Sequence, residues 1–249
     1  MTEEKKITLY VKAGRSPDTL GACSESQRAH LLARLKLKHV NPVLVDVENP
    51  PLEFTSAGFA RVPAVLHSDG TGSDENVVEV LLEKYPGGVL NPGQEELEDV
   101  ENVTRNVYLQ FCKYMYEDDY SGLQEALQSL DEFLSKRDFK FLFGDEMSLL
   151  DCQVLPQLHE VRVVVDRIKG CSIPGKLRRL WMYLFHAYRN KAFNQSCPPD
   201  LEYLLNWTEK LELPASAIKM PEWLPESCHA TYRSFKVPGI CVCPAPPKP

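Results

Sequence analysis

Ile7-Thr8-Leu9-Tyr10-Val11-Lys12-Ala13-Gly14, then a polar loop, then Gly21-Ala22-Cys23-Ser24-Glu25-Ser26-Gln27: the chain opens with a strand that hands over to a helix. The first segment is β-prone and alternating, with Ile7, Leu9, Val11 and Ala13 on one face. The loop between Gly14 and Gly21 holds Arg15-Ser16-Pro17-Asp18 and cannot continue it. Helical spacing resumes after Cys23, placing Ala29, Leu32 and Leu35 on one face. Cys23 is thus expected at a helix N-terminus, where unpaired amide donors and the positive end of the helix dipole favour a thiolate. A cysteine so placed is a candidate nucleophile. A free cysteine taken at random is more often a small buried hydrophobe, so its context must decide.

That context begins with Val43–Val47, a second strand bracketed by Asn41-Pro42 and Asn49-Pro50-Pro51. Leu52 to Phe59 holds a short helix ended by Gly58. Pro63 opens the apolar run Ala64-Val65-Leu66; proline is tolerated at a strand's first residue, and a cis Val62–Pro63 bond is one way to make that turn. Asp69-Gly70 signals a hairpin. Ser73, as N-cap, and the acidic Asp74-Glu75 then start a helix through Tyr85, with Val77, Val80, Leu81 and Lys84 in helical spacing. The order is β-α-β-α-β-(β)-α.

Tyr85 to Gly93 carries two prolines and three glycines and reads as a linker. Beyond it the pattern is helical to about Trp207. Ser148 and Asp151 form a capping box at the head of an apolar helix, Leu149–Ile168, kinked at Pro156. A helix over Ile173–Tyr188 has Pro174 in its first turn, and another is expected at Lys191–Phe193 or Pro199–Trp207. Past Leu213 the chain turns proline-rich, a tail expected to pack in part through Trp223, Tyr232 and Phe235. The expected organisation is an α/β domain over 1–86, a linker over 87–95, an all-helical domain over 96–210 and a tail over 211–249.

Composition narrows the function. The 249 residues, 43% hydrophobic and 25% charged, suit an ordinary soluble globular protein. The net charge of −7 argues against a nucleic-acid binder. No apolar segment follows Met1-Thr-Glu-Glu-Lys-Lys and no run of 18 apolar residues occurs, so neither a secretory signal nor a membrane span is expected. The eight scattered cysteines are expected reduced. Cys241-Val-Cys243 lacks a second ligand pair, and His39 and His159 lack metal or triad spacing, so no metal is expected.

A β-α-β-α-β-β-α module with a cysteine at its first helix and a proline before its third strand resembles the thioredoxin fold. With a helical domain after it, the whole resembles the glutathione-transferase architecture. Leu9 to Gly14, Gly21-x-Cys23-x-x-Ser26-Gln27-Arg28, Val62-Pro63, Asp151-Cys152-x-x-Leu155-Pro156-x-Leu158-His159, Ile173-Pro174 and Phe193-x-x-Ser196-Cys197-Pro198 narrow this to the chloride intracellular channel (CLIC) family. The short Ser135 to Lys140 connection resembles invertebrate members. The family's glutathione-site pattern falls on Lys12, Cys23, Val62, Pro63, Asp74 and Glu75. It implies that Cys23 meets the tripeptide's sulfur, the Val62 backbone pairs with its peptide and Asp74-Glu75 receive its α-amino/α-carboxylate end. Two positions depart from the pattern: Ser24 replaces the usual proline, and Glu75 replaces a threonine-like residue, setting an extra negative charge against the γ-glutamyl carboxylate.

The resemblance implies a cytoplasmic body with a membrane-associated fraction, monomeric when soluble and oligomeric when inserted, that conducts chloride. Its spanning segment maps to about Cys23–Val45, which holds Arg28, Arg34, Lys36 and Lys38. Four cations facing lipid cost roughly 10 kcal/mol or more, so only an oligomer turning them to a wet lumen would span. An enzymatic reading rests on Cys23. Ser26 stands where a Cys-x-x-Cys pair has its second thiol, so the expected chemistry is monothiol, glutathione-dependent disulfide exchange. A third reading is a scaffold for membrane lipids or cytoskeletal proteins.

Overall fold

In the computed structural model, residues 7–37, 40–85, 87, 89 and 94–238 are described. His39, Cys241 and Cys243, singled out above, lie outside them, as does most of the expected linker.

Strands β1 (Ile7–Lys12), β2 (Val43–Val45), β3 (Ala64–His67) and β4 (Gly72–Ser73) form a sheet of order β2-β1-β3-β4. β1 pairs parallel with β2 and antiparallel with β3, with Tyr10 opposite Val43 on one side and Ala64 on the other. Strand β2 stops at Val45, because Asp46 turns out to accept from the Glu48 amide and the Asn49 side chain. As the central strand, β1 is buried on both faces. Leu9 and Val11 join the main core with Ala29, Leu32, Val77 and Leu81; Tyr10 packs edge-on against Phe54 and Phe59 in a smaller cluster behind. Helices α1 (Ser24–Lys36) and α3 (Val77–Lys84) cover the first face and the short α2 (Leu52–Ser56) the second.

The remainder is helical: α4 (Gln94–Glu117), α5 (Ser121–Ser135), α6 (Leu149–Val164), α7 (Arg178–Arg189), α8 (Lys191–Ser196) and α9 (Asp200–Lys210). Helix α4 starts inside the stretch read as linker. Helix α6 is buried along most of its length and opens on the expected box: Ser148 Oγ accepts from the Asp151 amide at 3.2 Å, and Asp151 Oδ2 from the Ser148 amide at 2.7 Å. It runs through Pro156 and ends in a π-turn over Val165–Lys169, which the sequence does not announce.

Three local expectations need correction. Ser73 is not the cap of α3 but the end of β4; its Oγ accepts from the Glu75 and Asn76 amides and shapes the turn before the helix. The helix expected from Ile173 starts only at Arg178, because its first-turn amide, Leu180 N–H, is satisfied by Asp131 Oδ1 of α5 at 2.8 Å rather than by the Pro174 turn. Trp223 does not anchor the tail: it is 71% exposed and meets the Tyr232 ring edge-on, whereas the Phe235 ring packs at a tilt against Tyr188 and His159. Both α8 and α9, offered above as alternatives, are present.

Candidate functional site

The loop between β1 and α1 is drawn tight by backbone bonds, Gly14 N–H to Thr19 O at 2.8 Å and Gly21 N–H to Lys12 O at 2.9 Å. A Cβ at residue 21 would collide with the Ala13 carbonyl, so glycine is needed there. Two residues on, Cys23 is the N-cap of α1, half-buried and a free thiol. Its Sγ accepts from the Ser26 amide at 3.4 Å. Ser26, buried one turn on, accepts through Oγ from the Lys12 amide at 3.2 Å, so the residue in the second-thiol position couples strand to helix. The other described cysteines, Cys112, Cys152, Cys171, Cys197 and Cys228, are free thiols too. Burial pushes Cys112, Cys152 and Cys197 up in pKa, against thiolate formation.

Val62, Pro63, Asp74 and Glu75 come together around a hollow of about 270 Å³ bordered by Glu25 and Arg28 of the first turns of α1. The Val62–Pro63 bond is cis. Asp74 shapes the loop that presents it: Oδ2 accepts from the Ala60 amide at 2.8 Å and from the Arg61 amide at 3.1 Å, and these bonds, the Ala60 bond foremost, hold its carboxyl below the usual range. Arg61 spans the rim, donating through Nε to the Asp74 carbonyl at 3.1 Å and through Nη2 to Glu75 Oε1 at 2.8 Å. Glu75 is therefore not a lone repelling charge. Sequence reading missed Arg61. The arginine stands directly before Val62-Pro63, but its partner lies 14 residues on, across a hairpin.

Lys12 is placed elsewhere. Its ammonium reaches back to the Ala22 carbonyl at 3.5 Å, and it lines a second hollow, about 380 Å³, with Arg15, Asp46 and Glu202. Glu202 of α9 closes that hollow by accepting from the Arg15 amide. His159 is buried against Tyr188, Phe193, Tyr203 and Phe235, its Nδ1 3.1 Å from Tyr188 Oη; it is a core residue.

No family model matches the chain. Curated relatives do, two of them matching along most of its length. Chloride intracellular channel exl-1 of Caenorhabditis elegans is 28% identical over 226 residues, 86% of this chain and 92% of its own. Chloride intracellular channel Clic of Drosophila melanogaster is 29% identical over 236 residues, 87% and 90%. The crystal structure of the CLIC homologue EXC-4 from C. elegans superposes with a TM-score of 0.77 at 21% identity, covering 93% of each chain. The resemblance to the CLIC family is borne out. Glutathione transferase Omega 1C from Trametes versicolor shares the architecture at a TM-score of 0.58 and 16% identity, covering 84% of this chain and 97% of that one. The expected fold class, an α/β thioredoxin-like unit followed by helices, therefore stands. No helix among the described residues is long and apolar enough to cross a membrane.

Proposed function

We propose that this CLIC-like chain is a glutathione-dependent monothiol oxidoreductase with Cys23 as nucleophile. The observation that carries the reading is Cys23 Sγ capping α1, with the Ser26 N–H aimed at it: an amide donor and a helix N-terminus favour the negative charge left when the thiol proton departs. The Cys23 thiolate attacks the glutathionyl sulfur of a mixed disulfide, forming Cys23–S–S–glutathione and releasing the other thiol, which takes up a proton. The thiolate of a second glutathione attacks the same glutathionyl sulfur, leaving as glutathione disulfide and restoring Cys23. Ser26 offers no thiol to intervene. The hollow beside cis-Pro63 supports a place for the tripeptide, its peptide against the Val62 backbone and its α-amino acid end at Asp74 and Glu75.

The test is glutathione-dependent reduction of a glutathionylated peptide by the wild type and by Cys23→Ser. Turnover lost with the substitution supports the reading; turnover equal in both, or absent from both, overturns it.

The names of the worm and fly relatives favour anion conduction as a second reading. Helix α1 would have to leave the body and assemble with other copies so that Arg28, Arg34 and Lys36 face water. Chloride efflux from anionic vesicles between pH 5 and 7.5, with and without oxidant, tests it. No efflux under any of these conditions would remove it.

A further inference from the structure

We propose that Glu160, acting through the Tyr108 hydroxyl, supplies the proton to the thiol that leaves in the exchange at Cys23 and takes one back from the second glutathione; this rests on the monothiol reading above. Glu160 of α6 lies between α4 and α9 and is 5% exposed. Its Oε1 accepts from Trp207 Nε1–H of α9 at 2.7 Å, and its Oε2 meets Tyr108 Oη of α4 at 3.3 Å. An indole nitrogen only donates, so Oε1 is committed as an acceptor and a proton on the carboxyl belongs on Oε2, facing Tyr108. With Glu160 ionised, the tyrosine donates to it. With Glu160 protonated, the same contact runs the other way and the hydroxyl hydrogen is released to another acceptor. Tyr108 is half-buried and borders a hollow of about 370 Å³ between α4 and α6, so a small thiol has access to it while Glu160 stays covered.

The loop that ends at Cys23 packs on α9. The Arg15 amide donates to Glu202, and Ala22 and Asn206 border one hollow, with Cys23 and Trp207 each the next residue along. The Tyr108 hydroxyl is near enough to Cys23 to feel charge on its sulfur. Burial pushes the Glu160 carboxyl up, and Trp207, the Lys210 charge and Tyr108 draw it back, a balance that suits a group that must both hold a proton and release it. In the first step the Cys23 thiolate takes the glutathionyl sulfur, the departing sulfur takes the Tyr108 proton, and Tyr108 takes the Glu160 proton, leaving a carboxylate. In the second, the thiol proton of glutathione returns through Tyr108 to that carboxylate as its sulfur attacks. Cys23 then leaves as the thiolate that its amide cap favours. The cycle balances with no further acid or base.

The experiment isolates the first step by single-turnover transfer of a glutathionyl group to the reduced protein, with no free glutathione present. Two mixed disulfides of glutathione are compared. One releases 2-mercaptoethanol, a basic thiol that gains from a proton as it leaves; the other releases 5-thio-2-nitrobenzoate, a stable thiolate that does not. Glu160→Gln keeps an acceptor for Trp207, and Tyr108→Phe keeps the ring. Each variant is expected to slow transfer from the mercaptoethanol disulfide on the order of a hundredfold, the low end for general acid catalysis, and to leave transfer from the nitrobenzoate disulfide unchanged. The second substrate also reports that Cys23 remains folded and reactive in the variants. Equal slowing with both substrates would make the pair structural and overturn the inference. Variants that react like the wild type would overturn it too, as would a selective loss in Tyr108→Phe that Glu160→Gln does not share. A wild type that accepts a glutathionyl group at Cys23 from neither disulfide would overturn the monothiol reading itself, and the inference with it.

Discussion

His30 lies about two turns along α1 from Cys23 and is 1% exposed. Burial, and then the Arg34 charge, holds its pKa down at about 3. Nε2 accepts from Arg34 Nε at 2.7 Å, and Nδ1 has no hydrogen-bond partner among the described residues. In the unfolded chain the ring returns to its ordinary pKa, so below about pH 6.5 the unfolded state binds a proton that the folded state refuses. Its contribution to stability is whole above that pH and is lost progressively as pH falls toward 3. His159 is shifted in the same direction by burial. Burial pushes Asp151, Glu160 and Asp200 up, so their folded forms take up protons early and offset part of the loss. The informative quantity is therefore a difference. Relative to His30→Gln, which keeps an acceptor but does not titrate, the wild type should lose roughly 1.4 kcal/mol per pH unit between pH 6 and 4.5. Urea titrations at stepped pH measure this. A pH-independent gap would mean that His30 titrates alike folded and unfolded.

At the scale of elements, the capping box of α6 does more than cap. Asp151 also accepts, through Oδ1, from the Leu142 amide at 3.1 Å and from Tyr183 Oη–H at 2.6 Å, all in the core. Ser148→Ala removes one cap and should cost about 1–2 kcal/mol. Asp151→Ala leaves the Ser148 and Leu142 amides and the Tyr183 hydroxyl buried and unpaired, and should cost about 3 kcal/mol or more. Chemical denaturation of both variants decides; equal costs would contradict the network. The box was legible in the sequence, as were the Cys23 cap, the proline at the head of β3 and the turn at Asp69-Gly70, because each is written within a few residues. What escaped is held by partners far apart in the chain. Asp131 capping α7 moved that helix's start to Arg178, and Arg61 bridging to Glu75 changed the meaning of a charge. Lys12 sits in the motif beside Cys23, yet strand direction and the Ala22 carbonyl turn its ammonium to a different hollow.

At the scale of the molecule, α1 belongs to the α/β unit by sequence and to the helical unit by burial. Gln27 donates through Nε2 to Cys197 Sγ at 3.0 Å and accepts from Tyr203 Oη–H at 2.6 Å, both buried, while Arg34 Nη1 reaches Gln195 at 2.8 Å. The segment after α10 (Glu226–His229) ties into the same assembly. Ser234 bonds both Arg162 and Asp200 in the core, and Arg233 donates to the Cys197 carbonyl at 2.8 Å. Any route that takes α1 into a bilayer must first break the Gln27 contacts, so that residue is where coupling between the two units should be measured. In the wild type, peptides from β1 and from α6 should lose hydrogen-exchange protection at the same urea concentration, as one cooperative unit. Gln27→Ala strands the Tyr203 hydroxyl and opens a small cavity, which should cost about 2–3 kcal/mol. With the clamp gone, β1 should then open at lower urea than α6. If β1 and α6 already separate in the wild type, α1 is not the coupling element; if they stay together in Gln27→Ala, the apolar packing of Leu31, Leu32 and Ala33 suffices without the polar clamp.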